Sequence, residues 1–271
     1  LELSLQDFTR VMKEPKAAIV GLGGQLLLLP CLGFLLAFLV RDDVTLALGI
    51  VLLAACPGGA TSNMVCYLAR ANTALSVSFT AITSVISFIT IPLIVNSGLV
   101  LFSDSETAIH LPVLATIKRV FLLTLLPIIL GMLAQKAIPT IVRRIQPYLQ
   151  KMSSLLLMII LLVIFTLNWP RLINDFWRLA PIALALSTLA GLLGYAIARS
   201  AKLDRSDKFT ISIEVGFQNI ALAQLIAATI LGRPEYGLLA AIYPFANWVP
   251  LVPWLLYFRR QNDKLSREAT N

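Results

Sequence analysis

The sequence predicts an all-α polytopic membrane protein with about eight transmembrane spans. Three observations carry that reading. The chain is 58% hydrophobic and only 13% charged, against about 25% charged residues in a soluble domain. Several apolar runs exceed the roughly 18 residues that mark a membrane-crossing helix. The basic residues gather on alternate connectors. A soluble fold would need several helices buried all round, and 271 residues cannot cover them.

The apolar runs place spans at 17–40, 44–69, 73–102, 112–135, 152–169, 179–198, 209–231 and 237–258. If residue 1 is cytoplasmic, the inside segments are 1–16, 70–72, 136–151, 199–208 and 259–271. These hold 16 of the 22 basic residues. The outside segments hold Arg41, Arg171, Arg178 and Arg233, and Lys118 with Arg119 falls within the fourth span. Cytoplasmic loops collect Lys and Arg, so both ends of this chain are expected inside. The net charge of +8 then reports loops, and no nucleic-acid partner is expected. Residues 1–16 are amphipathic and unlike a signal peptide. Leu1 is not a start methionine, which suggests that the natural N-terminus lies further upstream.

Composition also excludes some chemistry. Cys31, Cys56 and Cys66 lack metal-ligand spacing. One histidine, His110, sits in a connector, and no nucleophile–base pair appears, so an enzyme is not expected.

The second span reads VTLALGIVLLAACPGGATSNMVCYLA. Pro57 removes a backbone donor and crowds the preceding turn, and Gly58 and Gly59 add backbone freedom. The helix should unwind there. Thr61, Ser62 and Asn63 follow as candidate N-caps of a second half-helix. The seventh span, FTISIEVGFQNIALAQLIAATI, has a comparable centre at Glu214, Gly216, Gln218 and Asn219. Thirteen of the fourteen acidic residues lie in connectors or at span edges, and Glu214 alone is deep in a span. A charge at mid-bilayer costs about 2.5–3.5 kcal/mol on insertion scales and marks an ion or substrate path or a helix-pairing contact.

Spans one to three and six to eight run in opposite directions, each with its broken helix in the middle. That is an inverted repeat. Secondary transporters place their binding sites at such paired breaks, near the midplane. Half-helix N-termini there attract anions, and freed carbonyls serve cations. Ser76, Thr80, Thr83 and Ser87 share one face of the third span. Gln25 lies in the first span beside Gly21, Gly23 and Gly24. Carboxylate, amide and hydroxyl oxygens suit a hard cation. Asn247, in the last span, either faces a cavity or bonds a neighbouring helix.

The segments CPGGATSNMVCYLARANTALSVSFT and SIEVGFQNIALA resemble the two signature segments of the bile acid:sodium symporter family. LSLQDFTRVMKEPKAAIVGLGGQLLLLP is similar to its approach to the Gln-bearing helix. The resemblance is collinear over nearly the whole chain. It implies a transporter fold of two five-helix inverted repeats, with core and panel domains and two discontinuous helices crossing in the core. It matches the eight spans to helices three to ten. Residues 1–102 would form the first repeat without its first two helices. Residues 103–258 would form the second, with panel helices 112–135 and 152–169, and 259–271 a cytoplasmic tail.

By the same resemblance, two Na⁺ act as coupling ions. One site would use Ser62, Asn63, Ser76, Thr80 and Glu214. The other would use Gln25, Glu214, Gln218 and the backbone carbonyls of Val215 and Phe217. A small organic anion, bile acid-like or a simple carboxylate, would lie near Thr61, Asn63, Asn219 and Asn247. The order Ala60-Thr61 and the absence of histidine from AAIYPFANWVP depart from the family's pattern and bear on substrate identity. The expected location is a bacterial inner membrane. Proton coupling on the same fold, and a receptor or scaffold that does not transport, are the alternative readings.

Overall fold

A computed structural model describes residues 15–103 and 113–268; His110 lies outside them. All regular structure among these residues is helical. Among the described residues five helices are long and apolar enough to cross a membrane, or up to seven spans if each of two bent pairs counts as one. Large apolar side chains such as Leu27, Leu39, Leu114 and Trp177 are left exposed on the outer faces. In an apolar all-helical chain this surface suits lipid, and the molecule is an integral membrane protein.

Helix α1, Pro15–Leu39, widens into a π-helical turn at Gly24–Leu28. Pro30 explains the turn, because its ring has no N–H and would strike the carbonyl four residues back. The backbone N–H of Leu29 reaches Gly24 O instead. Such turns often sit at functional positions, and this one carries the buried Gln25. Asp43 then caps α2, Val44–Ala55, accepting from Leu46 N at 3.1 Å. It also pairs with Arg178.

Every residue of α2 from Leu46 to Ala55 is buried. A helix that is apolar all round belongs in the middle of a bundle. The chain breaks at Cys56–Gly59 and turns by 60° into α3, Ala60–Ala69. The expected side-chain cap is not found there. The N-cap is Gly59, extended and without a side-chain hydrogen bond, so Thr61, Ser62 and Asn63 fall within the first turn of α3. The two glycines move the helix start upstream of the hydroxyl and amide residues. Asn72 caps the 30-residue α4, Thr73–Phe102.

Helix α5 has three consecutive parts, Val113–Val120, a π turn at Phe121–Leu125, and Leu126–Ala137. A sharp corner of 113° at Ile138 leads into α6, Pro139–Asn174. The segment 136–151, expected as a connector, is therefore largely helical, and the fifth expected span lies inside α6. The expected tail is helical too, since α10, Leu238–Glu268, runs past the apolar stretch. Lys and Arg are good helix formers and suit a C-terminal turn.

Helices α7, Phe176–Ser200, and α8, Arg205–Gly216, pack closely through glycine. A Cβ on Gly194 would lie 2.8 Å from Ile211 O, and one on Gly216 would lie 3.3 Å from the Cα of Gly191. The second break occupies Phe217–Asn219, after which α9 spans Ile220–Leu225 and continues through a π turn at Ile226–Ile230. The span Arg205–Ile230 runs on through its break without the sharp bend of the first.

Candidate functional site

The two breaks touch. Asn219 N–H donates to Pro57 O at 2.8 Å. A Cβ on Gly59 would lie 3.7 Å from Asn219 Cα. The unwound segments thus satisfy part of each other's backbone, which a low-dielectric interior demands. Asn219 Oδ1 also accepts from Leu222 N at 3.0 Å and so caps α9.

Glu214 lies beside this crossing, at the end of α8, with no solvent exposure. Among the described residues no Lys or Arg pairs with it. Its partners are hydroxyls of α4. Ser76 Oγ bonds Oε1, and Thr80 Oγ1 bonds Oε2 at 2.8 Å. The same hydroxyls face Asn63 Oδ1 of α3, Ser76 at 2.7 Å and Thr80 at 3.4 Å. Ser62 is fully buried alongside, its hydroxyl donating to Gly59 O at 2.7 Å.

Ser76 and Thr80 thus bridge the Glu214 carboxyl and the Asn63 amide. Carboxyl, hydroxyl and amide groups meet in one cluster around the buried Glu214. That is the donor set a hard, oxygen-binding cation needs.

A second group lies on the α1 side of the crossing. Gln25 Nε2 donates to Cys56 O and to Gln218 Oε1, both at 3.0 Å. Gln218 Nε2 donates to Val215 O at 2.7 Å. Gln25 Oε1 is buried and has no hydrogen-bond partner. An unpaired buried carbonyl oxygen costs about 1–3 kcal/mol, and a cation would relieve it. Phe217 contributes extended backbone at the break, while its ring is buried with Val65, Phe209 and Leu251.

The structure therefore gathers Ser62, Asn63, Ser76, Thr80 and Glu214 into one cluster, and Gln25, Val215 and Gln218 into another. Thr83 and Ser87, on the same stripe of α4, turn back to backbone carbonyls of their own helix. Thr61 is exposed in the first turn of α3. Asn247 lines a cavity of about 530 Å³ between α7, α8 and α10, to which Gly216 and Phe217 also contribute.

Two contributors escaped the sequence reading. Gly58 matters for space as well as freedom, since a Cβ there would lie 2.8 Å from Glu214 Oε2. Tyr243, fully buried on α10, donates to Gly216 O at 2.8 Å and holds the end of α8. Its signal was a phenol inside an apolar stretch, because a buried tyrosine hydroxyl usually has a partner.

Residues 1–175 match the model of the Sodium Bile acid symporter family. The chain belongs to this family. It is 30% identical to a probable sodium/metabolite cotransporter BASS2, chloroplastic, of Oryza sativa, over 89% of this chain and 56% of that protein. It is 29% identical to the sodium-dependent transporter YocS of Bacillus subtilis, over 84% of this chain and 69% of that protein. Human sodium/bile acid cotransporter 4 is 28% identical over 83% of this chain and 51% of its own length. The chain thus spans between about half and about two thirds of the lengths of these relatives.

Proposed function

We propose that this chain carries the ion-binding core of a sodium-coupled symporter that imports a small organic anion. The observation that carries the reading is the oxygen-rich cluster of Glu214, Ser76, Thr80 and Asn63, gathered where two broken helices cross.

In this reading the first Na⁺ is held by Ser62, Asn63, Ser76, Thr80 and Glu214. The second is held by Gln25, Gln218, Glu214 and the carbonyls of Val215 and Phe217. Glu214 offsets charge at both sites. Ion binding fills the unpaired Gln25 Oε1 and draws α1, α3, α4 and α8 together around the crossing.

The anion is recognised next to that site. Helix α3 starts at Gly59 with no side-chain cap, which leaves first-turn N–H groups and the positive end of the helix dipole for a ligand. Thr61, Asn63 and Asn219 flank it. A small carboxylate suits such a terminus. Core helices 17–40, 44–69, 73–102, 179–198, 209–231 and 237–258 then move against a panel formed in part by 112–135 and 152–169, exposing the site to each side in turn. The inward sodium gradient supplies the driving force. The family relationship and the sodium-dependent names of the relatives support the coupling ion.

The test is uptake by the chain reconstituted in liposomes, with a screen of small carboxylates and bile acid-like anions. Replacing external Na⁺ by choline at fixed pH is expected to abolish uptake. Undiminished uptake in choline would favour proton coupling and sink the sodium reading.

A further inference from the structure

Helices α4 and α8 are tied together where each begins. Asn72 Nδ2, at the start of α4, donates to Asp207 Oδ1 in the first turn of α8 at 2.8 Å. Thr210 Oγ1 of α8 donates to Asn72 O at 3.4 Å. Asp207 is only 7% exposed and Thr210 is fully buried. None of these three residues belongs to either cation cluster.

Helix capping alone does not account for the tie. Asn72 caps α4 through Oδ1, which accepts from Leu75 N at 3.0 Å, and its amide nitrogen crosses to α8. The N-cap of α8 is Asp204, whose carboxylate accepts from Asp207 N at 2.7 Å. The Asp207 carboxylate reaches across the interface to the neighbouring helix. A hydrogen bond to an ionised carboxylate is among the stronger ones.

The tie continues the stripes that build the first cation cluster. Asn72, Ser76 and Thr80 follow at four-residue steps on one face of α4. Asp207, Thr210 and Glu214 follow at steps of three and four on one face of α8. Along the axes Asn72 lies about 6 Å from Ser76, and Asp207 about 10 Å from Glu214. Cys66 of α3 fills the layer between, with its thiol against Ser76 and Thr210.

This placement bears on ion size. Ser76 and Thr80 bond Glu214 directly, and Ser76 Oγ meets Asn63 Oδ1 at 2.7 Å. Oxygens in such contact must part to admit an ion between them. The distance that α4 and α8 can part is limited by a bond between the same two helices a few turns away. Selectivity among hard cations follows from cavity size, ligand number and flexibility. A tie that limits the opening favours Na⁺ over the larger K⁺.

We propose that the Asn72–Asp207 bond sets the ion selectivity of the first cation cluster, by limiting how far α4 and α8 part when Ser76, Thr80 and Glu214 take an ion. The proposal rests on the sodium reading of that cluster. Asn72 and Asp207 are positioning residues, since they act through Ser76 and Glu214 and do not touch the ion.

The test is equilibrium binding of radioactive sodium to the purified chain, displaced by unlabelled Na⁺ or K⁺ with choline holding the ionic strength constant. Asp207→Ala and Asn72→Ser should each let K⁺ displace bound sodium at about a tenfold lower concentration relative to Na⁺, the scale of one hydrogen bond to a charged group. Serine at 72 still caps α4 but is too short to reach Asp207. The double variant should change little further, because both substitutions remove the same bond. Asp207→Asn keeps an oxygen for Asn72 and should retain more of the preference than Asp207→Ala. Asp204→Ala is the control: it removes the α8 cap and should lower the melting temperature without changing the preference. An unchanged preference in Asp207→Ala and Asn72→Ser would overturn the proposal, and so would an equal loss in Asp204→Ala. Both results leave the sodium reading standing, because the parent still binds sodium. A parent that binds none would overturn that reading and the proposal with it.

Discussion

Replacing Glu214 by glutamine separates the stability of the fold from that of the ion site. The substitution keeps the shape and one carbonyl oxygen but removes the charge. In sodium-free buffer the parent holds a fully buried carboxyl with two hydroxyl partners and no described cationic partner. Burying such a group costs free energy that an amide costs less of. Glu214→Gln should therefore be at least as stable as the parent without sodium. With sodium the order reverses. A ligand at about 100 times its Kd stabilises by about 2.7 kcal/mol. Two independent sites give roughly twice that, and a chain of this size gains about 2–4 °C per kcal/mol. The parent should then unfold on the order of 10–20 °C higher in saturating sodium than in choline. The variant should shift by less than about a third of that. The assay is a thermal-unfolding series in sodium and choline at constant ionic strength. A sodium shift of parental size in Glu214→Gln would refute the assignment of Glu214 as the shared ligand.

Other substitutions test the geometry around it. Gly58→Ala should weaken sodium binding by about tenfold or more, because its Cβ would lie 2.8 Å from Glu214 Oε2; sodium titration of the melting temperature reads this. Tyr243→Phe should cost about 1–2 kcal/mol in sodium-free stability, through the lost bond to Gly216 O. Asn219→Ala should remove the α9 cap, at about 0.5–2 kcal/mol. It should also weaken substrate binding more than sodium binding, measured by substrate-dependent and sodium-dependent thermal shifts on the same sample.

Much of the site was legible because membrane insertion makes polar residues expensive. Glu214 stood out for that reason, and Pro57-Gly58-Gly59 announced the first break through backbone chemistry alone. The second break had no proline, yet Phe217–Asn219 leaves the helix with Asn219 as a true side-chain cap. The first break reversed that expectation, with Gly59 taking the cap and Thr61–Asn63 moved inside the helix. Which hydroxyls of the α4 stripe reach inward is not legible from their spacing; only the family resemblance singled out Ser76 and Thr80. Ser76 and Thr80 face Glu214, whereas Thr83 and Ser87 bond their own helix, a choice set by where α8 crosses. The π turn that presents Gln25 follows from Pro30 but needs tertiary contacts to become a site. The contact between Asn219 N and Pro57 O joins residues far apart in sequence, and no local pattern encodes it.

The most direct test of the central claim is radioactive sodium binding to the purified chain at equilibrium. Two sodium ions per chain are expected for the parent. Ser76→Ala combined with Thr80→Val should leave one, and Glu214→Gln should leave none. No sodium bound by the parent, or two still bound by Glu214→Gln, would contradict the account.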